Sequence, residues 1–289
     1  MLANFVSLVS LLTSFAAALP AIPNPQENGL DTGLKHRRVD GVSISDTKLL
    51  HTRAGPIVFQ GCGGVMTALN DDLADMVTMA AKARDNVKAG NSYYKAIFGT
   101  DPNQSNVPSD LWIRDRYDAI ASATQSAKRG IPTLRCDYNS QSDKRCQSRF
   151  SAPAMTQGSG GTTPTIWLCA AYWQNRLRIR DIALPRYGSR APLDQFIPTA
   201  GLLLHEWTHA LYETTDVKLK QTNAGQVAYG QGNTLLLQRE TNGARRSRNN
   251  ADSYRIFAAM VTLNARWSTD PSNLGDGHIE LKKRAEVEP

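Results

Sequence analysis

The stretch Ala200-Gly201-Leu202-Leu203-Leu204-His205-Glu206-Trp207-Thr208-His209-Ala210-Leu211 decides how the rest of the chain is read. Its apolar residues recur at helical spacing and Pro198-Thr199 supplies a start, so the pattern predicts a mostly buried helix. On that helix His205 and His209, four residues apart, stand one above the other on one face. The pattern H-E-x-x-H is the one by which a helix offers two imidazoles to a single zinc ion. Glu206, one step round, is placed to take the proton from a metal-bound water.

Zinc in a catalytic site takes three protein ligands and keeps one position for water. The chain has five histidines, and apart from the motif pair none falls between residues 52 and 277. His36, His51 and His278 lie towards the ends, so a third ligand from the body of the chain is expected to be an acid. Asp216 needs only that the helix end near Tyr212 and the chain turn back through Thr214 and Thr215. Glu240 and Asp252 are acids at greater sequence distance, the first within an expected helix and the second at an expected helix start.

Residues 2–18 are apolar and uncharged and end in Ala16-Ala17-Ala18, which reads as a secretory signal peptide. Residues 19–53 are rich in Pro, Gly and charge and read as a leader, with Lys35-His36-Arg37-Arg38 as a dibasic processing point. Residues 54–275 make one domain by size, here expected to be a zincin-like metallopeptidase domain, and 276–289 form a polar tail. The expected product is secreted and extracellular. Four cysteines, Cys62, Cys136, Cys146 and Cys169, predict two disulfides in such a chain, and sequence alone allows three pairings.

The formal net charge of +7 is spread along the chain with no basic patch interleaved with aromatics, so nucleic acid is not an expected partner. No segment after the first is long and apolar enough to span a bilayer, so no membrane partner is expected either. The expected partners are protein or peptide substrates of a monomer.

Periodicity predicts helices over 65–89, 93–98 and 111–128, and strands over 133–138 and 165–173. The second strand, shortly before the motif helix, is read as a candidate edge that could pair with an extended peptide. Asn103-Gln104-Ser105 is a glycosylation sequon in a loop. Two helices are expected after Tyr229-Gly230, the last over 251–267 with Asn250 as its N-cap. The fold class expected is α+β, mostly helical, with a small sheet beside the motif helix.

His205 to His209, then Thr214 to Asp216, Tyr229-Gly230 and Asn250-Ala251-Asp252-Ser253-Tyr254 resemble, in that order, the deuterolysins. These are the fungal aspzincin metalloendopeptidases, which include the peptidyl-Lys endopeptidases. The resemblance spans about 62–267 and implies a zincin-like fold with His205, His209 and an aspartate as zinc ligands. It also implies disulfides Cys62–Cys136 and Cys146–Cys169, and casts Tyr229 as a stabiliser of the tetrahedral intermediate. The family pattern is G-T-x-D-x-x-Y-G. Here Glu213 stands at the Gly position, and twelve residues, 217–228, separate Asp216 from Tyr229 where the family has two. Anchoring on Tyr229-Gly230 would instead put Gln226 at the ligand position, and Asp216 is favoured because zinc prefers an anionic oxygen. In the peptidyl-Lys members Asp252 and a following acid form a lysine pocket. Arg255 replaces that second acid here, so a relaxed preference for basic residues after the cut is expected.

The function expected is a zinc-dependent endopeptidase hydrolysing internal peptide bonds, with Glu206 as general base and zinc as its one cofactor. The rival readings are a catalytically weak zinc-binding or host-interaction protein on the same fold, and a structural wall-associated protein. Neither of those needs an ionised acid beside the metal.

Overall fold

In the computed structural model the helix Met66–Asn86 (α1) runs through the middle of the core. Leu69, Leu73, Met76, Met79, Ala80 and Ala83, recurring at three and four, bury its apolar face completely or nearly so. The structure describes residues 57–88, 90–99, 110–122, 132–136, 154–157, 164–174, 176–184, 192–221, 224–263, 265–271 and 279–280. The expected signal peptide, leader, sequon and most of the polar tail lie outside the described residues.

Further helices are Ser92–Phe98 (α2), Asp110–Ala121 (α3), Ala170–Gln174 (α4), Thr199–Tyr212 (α5), Gly230–Arg239 (α6), Gly243–Asn249 (α7) and Ala251–Thr262 (α8). Asn91 caps α2, its side chain accepting from Tyr94 N at 2.9 Å, and Gly99 ends that helix with φ +72. Around α8 the rings of Tyr94, Phe98, Tyr117, Tyr254 and Phe257 lie 5.3–6.0 Å apart by centroid in tilted and edge-on pairs. Each such ring, fully buried, contributes on the order of 2 kcal/mol, and their packing fixes α8 against α2 and α3.

A small sheet lies beside α5. Its strands are Val58–Gln60 (β1), Thr133–Arg135 (β2), Ala154–Gln157 (β3) and Thr165–Leu168 (β4), in the order β1-β2-β4-β3. β1, β2 and β4 are parallel, while β3 is antiparallel to β4, with Thr156 opposite Ile166. Described residues are thus mostly helical with a small mixed sheet, an α+β arrangement. Cys62 and Cys136 are bonded, tying the end of β1 to the end of β2 with Cα atoms 4.8 Å apart. Cys169 is also disulfide-bonded. Its expected partner, Cys146, lies outside the described residues.

Three expectations are corrected. The strand expected over 165–173 is not an edge: β4 is paired on both sides, and the chain turns into α4 at Ala170. The edge beside α5 is β3, a four-residue segment too short for its alternation to be read between polar and glycine-rich stretches. Three helices, not two, follow Tyr229, and the last ends at Thr262, after which Arg266–Trp267 (β5) pairs with Ile279–Glu280 (β6). Asn250 precedes α8 but does not cap it through its side chain. Its Oδ1 instead accepts from Val217 N at 3.1 Å, and its Nδ2 donates to Ala228 O at 3.2 Å.

One buried charge locks the approach to α5. Asp72 on α1 is fully buried, accepts from Arg176 Nε at 2.9 and 3.0 Å, and accepts from the Tyr172 hydroxyl at 3.0 Å. Burial raises the Asp72 pKa despite the Arg176 guanidinium, so the carboxylate depends on its partners. Asp75 repeats the arrangement with Arg178, at 2.8 and 3.2 Å. Removing one partner of a buried pair is costly, so Asp72→Ala should lower unfolding free energy by on the order of 3 kcal/mol. Asp115→Ala, on the exposed side of α3, should change it by less than about 0.5 kcal/mol. Urea midpoints for the two variants check this.

Candidate metal centre

α5 is buried along nearly its whole length: Leu203, Leu204, Trp207, Ala210 and Leu211 face the core, and Gly201 packs where a Cβ would sit 2.7 Å from Ile197. That burial fixes the rotation of the helix. His205 and His209 are therefore held on the face that looks towards the 213–231 segment.

Three side chains from two elements converge there. His205 Nε2 and His209 Nε2 are 3.1 Å apart, and Asp216 Oδ1 lies 3.3 Å from each. Among the described residues this is the one group of three histidine, cysteine or acidic side chains able to surround an ion, with all ligand atoms within 4.8 Å of one another.

The far nitrogen of each imidazole is also occupied. His205 Nδ1 lies 3.1 Å from Asp252 Oδ1, and His209 Nδ1 lies 2.6 Å from the carbonyl oxygen of Thr214. Both partners are acceptors, so each Nδ1 carries the proton in the neutral ring. Each Nε2 is then left with its lone pair aimed at the common point, the tautomer a metal requires. Two neutral imidazoles and one carboxylate make a donor set of the composition zinc favours. These residues fit a single zinc ion.

Asp216 reaches this position because the helix stops. Glu213 adopts a left-handed conformation with φ 53, the place at which the deuterolysin pattern carries glycine. Thr215 then pairs with the strand-like turn before α8, its N bonding Asn249 O at 2.7 Å and its O accepting from Ala251 N at 3.1 Å. Below the turn the Thr214 hydroxyl meets that of Thr208 at 2.9 Å.

Residues 217–221 and 224–228 run as two limbs that bond each other. Leu219 N donates to Gln226 O at 2.8 Å, and Ala228 N donates to Val217 O at 2.8 Å. Glu240 Oε1 accepts from Lys220 N and Gln221 N at 2.7 and 2.8 Å and fastens the outer limb, and Leu219, Ala228 and Leu237 make a small core beneath it. The insertion closes on itself and returns Tyr229 to the site. The Tyr229 hydroxyl bonds Asp216, and its ring centroid is 6.0 Å from that of His205. Gln226 is exposed, and Glu240 is committed to the loop, so neither joins the ligand group.

Glu206 is buried beside His205, its Oε2 accepting from the Thr156 hydroxyl of β3 at 2.8 Å. The same hydroxyl lies 3.0 Å from Glu206 O, which fastens the edge strand to the motif helix. Thr156 escapes sequence reasoning, since no residue pattern marks it. Nor does residue type reveal the Thr214 carbonyl.

Asp252 is placed differently from the expectation. It is completely buried, with Oδ1 on His205 and Oδ2 accepting from Gly230 N at 2.6 Å, and Arg255 closes its outer side at 2.6–3.0 Å. It has no surface to offer a substrate. Arg255 faces inward as its counter-ion, so the acid that resembled one wall of a lysine pocket is a partner of the first histidine. Gly230 has φ +77, and a Cβ there would meet the Asp194 carboxylate at 3.0 Å, so glycine is needed for its N–H to reach Asp252.

The electrostatics follow from this arrangement. Burial lowers the His205 pKa, but hydrogen bonds to Asp216 and Asp252 outweigh it and bring it to about 9. Burial likewise pushes Asp216 up, yet the two imidazoles reverse this and hold it far below the usual carboxylate range. Tyr229 is raised well above an ordinary phenol, first by burial and then by Asp216. Asp252 stays below its usual value because Arg255 and His205 offset its burial.

No family model and no curated protein matches the chain. Among the described residues, no helix is long and apolar enough to cross a membrane.

Three outcomes are expected. A group whose folded pKa is raised stabilises fully below its unfolded value and loses that contribution as pH rises through the folded one. For His205 the loss runs from about 6.5 to about 9, so thermal melts in EDTA should show falling stability across that window. Zinc uptake must displace the same proton, so zinc affinity should rise over the same range. Asp252→Asn should weaken zinc binding about 10–100-fold in a competition titration, since it removes the anionic acceptor that holds the His205 ring.

Proposed function

We propose that this chain is a secreted zinc endopeptidase with a zincin-like fold of deuterolysin type, hydrolysing internal peptide bonds. The observation that supports it most is the convergence of His205 Nε2, His209 Nε2 and Asp216 Oδ1 with each imidazole held from behind by its own acceptor. The resemblance of the ordered segments at 205–209, 214–216, 229–230 and 250–254 supports the same reading. Disulfide bonding of Cys62 to Cys136 is compatible with the secretion that residues 2–18 suggest.

Held by His205, His209 and Asp216, zinc would lower the pKa of a water and polarise the carbonyl of the bond to be cut. Glu206, fixed through Oε2 by Thr156, keeps its other carboxylate oxygen free to accept a proton from the attacking water. The water oxygen bonds to the carbonyl carbon, the carbon–nitrogen bond breaks, and Glu206 delivers the proton to the departing amine. Tyr229, with its hydroxyl on Asp216 and its side chain nearly half exposed at 46%, would donate to the oxyanion that forms by turning its one hydroxyl proton away from Asp216. Asp252 and Thr214 hold the imidazoles still while this happens. With Asp252 enclosed, the basis for a basic preference after the cut is gone.

Metal content and casein hydrolysis test the reading together. Wild type should hold one zinc and cleave casein, and Glu206→Gln should keep the zinc while turnover falls by at least about 100-fold. Asp216→Ala should lose zinc and activity together, whereas Gln226→Ala should keep both. A zinc-loaded wild type that cleaves nothing, indistinguishable from Glu206→Gln, would sink the enzyme reading in favour of a zinc-binding protein.

A further inference from the structure

Beside the metal centre lies a cleft of about 1180 Å³ between the 215–220 limb of the inserted loop and helix α7. Thr215 and Asp216 form its inner end, so it opens directly onto the ligand carboxylate. Its walls carry Lys218, Lys220, Arg245, Arg246 and Arg248, against Asp216 as the one acid in the lining. Arg246 is neutralised by Glu240. Lys218, Lys220 and Arg245 are exposed, and no acidic side chain among the described residues pairs with them. Trp112, 40% exposed with the Arg116 guanidinium stacked 3.3 Å over its ring, supplies a flat apolar surface to the same cleft.

We propose that this cleft binds acidic segments of the substrate, so that the protein selects peptides carrying aspartate or glutamate on one side of the bond to be cut. This rests on the endopeptidase reading of the metal centre. A peptide stretched across the site must leave it on some side, and the cleft begins at Asp216. Unpaired cations along such a cleft favour anionic side chains and disfavour cationic ones, which is specificity by repulsion as much as attraction. The preference is opposite in sign to the one Asp252 suggested from sequence. Three unpaired cations and one accessible aromatic ring match a short acidic peptide better than a nucleic-acid backbone, which is bound by long basic tracks with repeated stacking.

Binding to the zinc-loaded Glu206→Gln protein tests this without turnover. The probes are fluorescein-labelled decapeptides that differ only in carrying Glu, Gln or Lys at three positions on one side of a central bond. The Glu peptide should bind at least about tenfold more tightly than the Lys peptide at low salt, and the gap should narrow at about 0.5 M NaCl. Lys218→Glu with Arg245→Glu, in the same background, should remove the gap. Lys88→Glu with Lys95→Glu, which changes net charge equally at positions outside the cleft, should leave it. Equal binding of the three peptides, tighter binding of the Lys peptide, or equal loss in both double variants would overturn the proposal. So would an oligothymidylate that binds more tightly than the Glu peptide. Because binding is read on an inactive protein, failure of casein hydrolysis with intact charge selection would remove the enzyme reading alone. Hydrolysis without charge selection would remove only this inference.

Discussion

The site depends on one buried carboxylate. Asp252 joins the first histidine, the backbone N–H of Gly230 and the guanidinium of Arg255, so it connects α5, the end of the inserted loop and α8 through a single group. A fully enclosed carboxylate is tolerated only when its oxygens are satisfied and its charge is matched. Each of those requirements fixes something: the match comes from Arg255 on the same helix, the oxygens fix the His205 ring and the start of α6. The aromatic packing around α8 then has a functional consequence, because it sets where Asp252 stands and so where His205 points.

The second histidine is oriented by a different device. Its acceptor is the Thr214 carbonyl, supplied by the turn that also delivers Asp216. That turn exists because α5 ends in a left-handed residue and because Thr215 pairs with the chain ahead of α8. A glutamate in that conformation is strained relative to glycine by on the order of 1 kcal/mol, which the surrounding pairing must offset. The same pairing explains how the twelve-residue segment between Asp216 and Tyr229 is accommodated. Asn250 grips both ends of it, at Val217 and Ala228, so the loop bulges outward while Asp216 and Tyr229 keep their mutual contact.

How much of this the sequence disclosed depends on whether the signal was a spacing or a contact. His205, His209 and Glu206 were legible because a period of 3.6 residues puts them on one face whatever the rest of the chain does. Exclusion gave only an acid as third partner, since no other histidine falls in the body of the chain, and Asp216 stood ahead of Glu240 and Asp252 by the short turn after Tyr212 and by the resemblance. Helices α1, α2 and α5 were legible from apolar periodicity. The edge strand was not, because β3 is four residues long and its partner β4 had the stronger strand signal. Asp252 was found but misassigned: an acid in the first turn of a helix looks alike whether it faces a pocket, the helix dipole or an imidazole from α5. The basic cleft could not be seen at all, because Lys218 and Lys220 come from the insertion and Arg245 from α7, and only folding puts them on facing walls.

Charge balance links the interior of the site to its rim. Three carboxylates, Glu206, Asp216 and Asp252, surround two imidazoles. Arg255 offsets Asp252, while Thr156 gives Glu206 a hydrogen bond but no counter-charge, so Asp216 and Glu206 are left to be matched by what lies between the rings. In the absence of a metal, the proton that brings His205 to about 9 does that work. A field that holds a proton on a buried imidazole is the same field that would draw in a divalent cation, which offers two charges where the proton offers one. With such a cation in place the charges of Glu206, Asp216, Asp252 and Arg255 are balanced, and Lys218, Lys220 and Arg245 of the adjoining cleft have no acidic partner among the described residues. An acidic segment of a bound peptide would supply the charge that these three side chains leave unmatched.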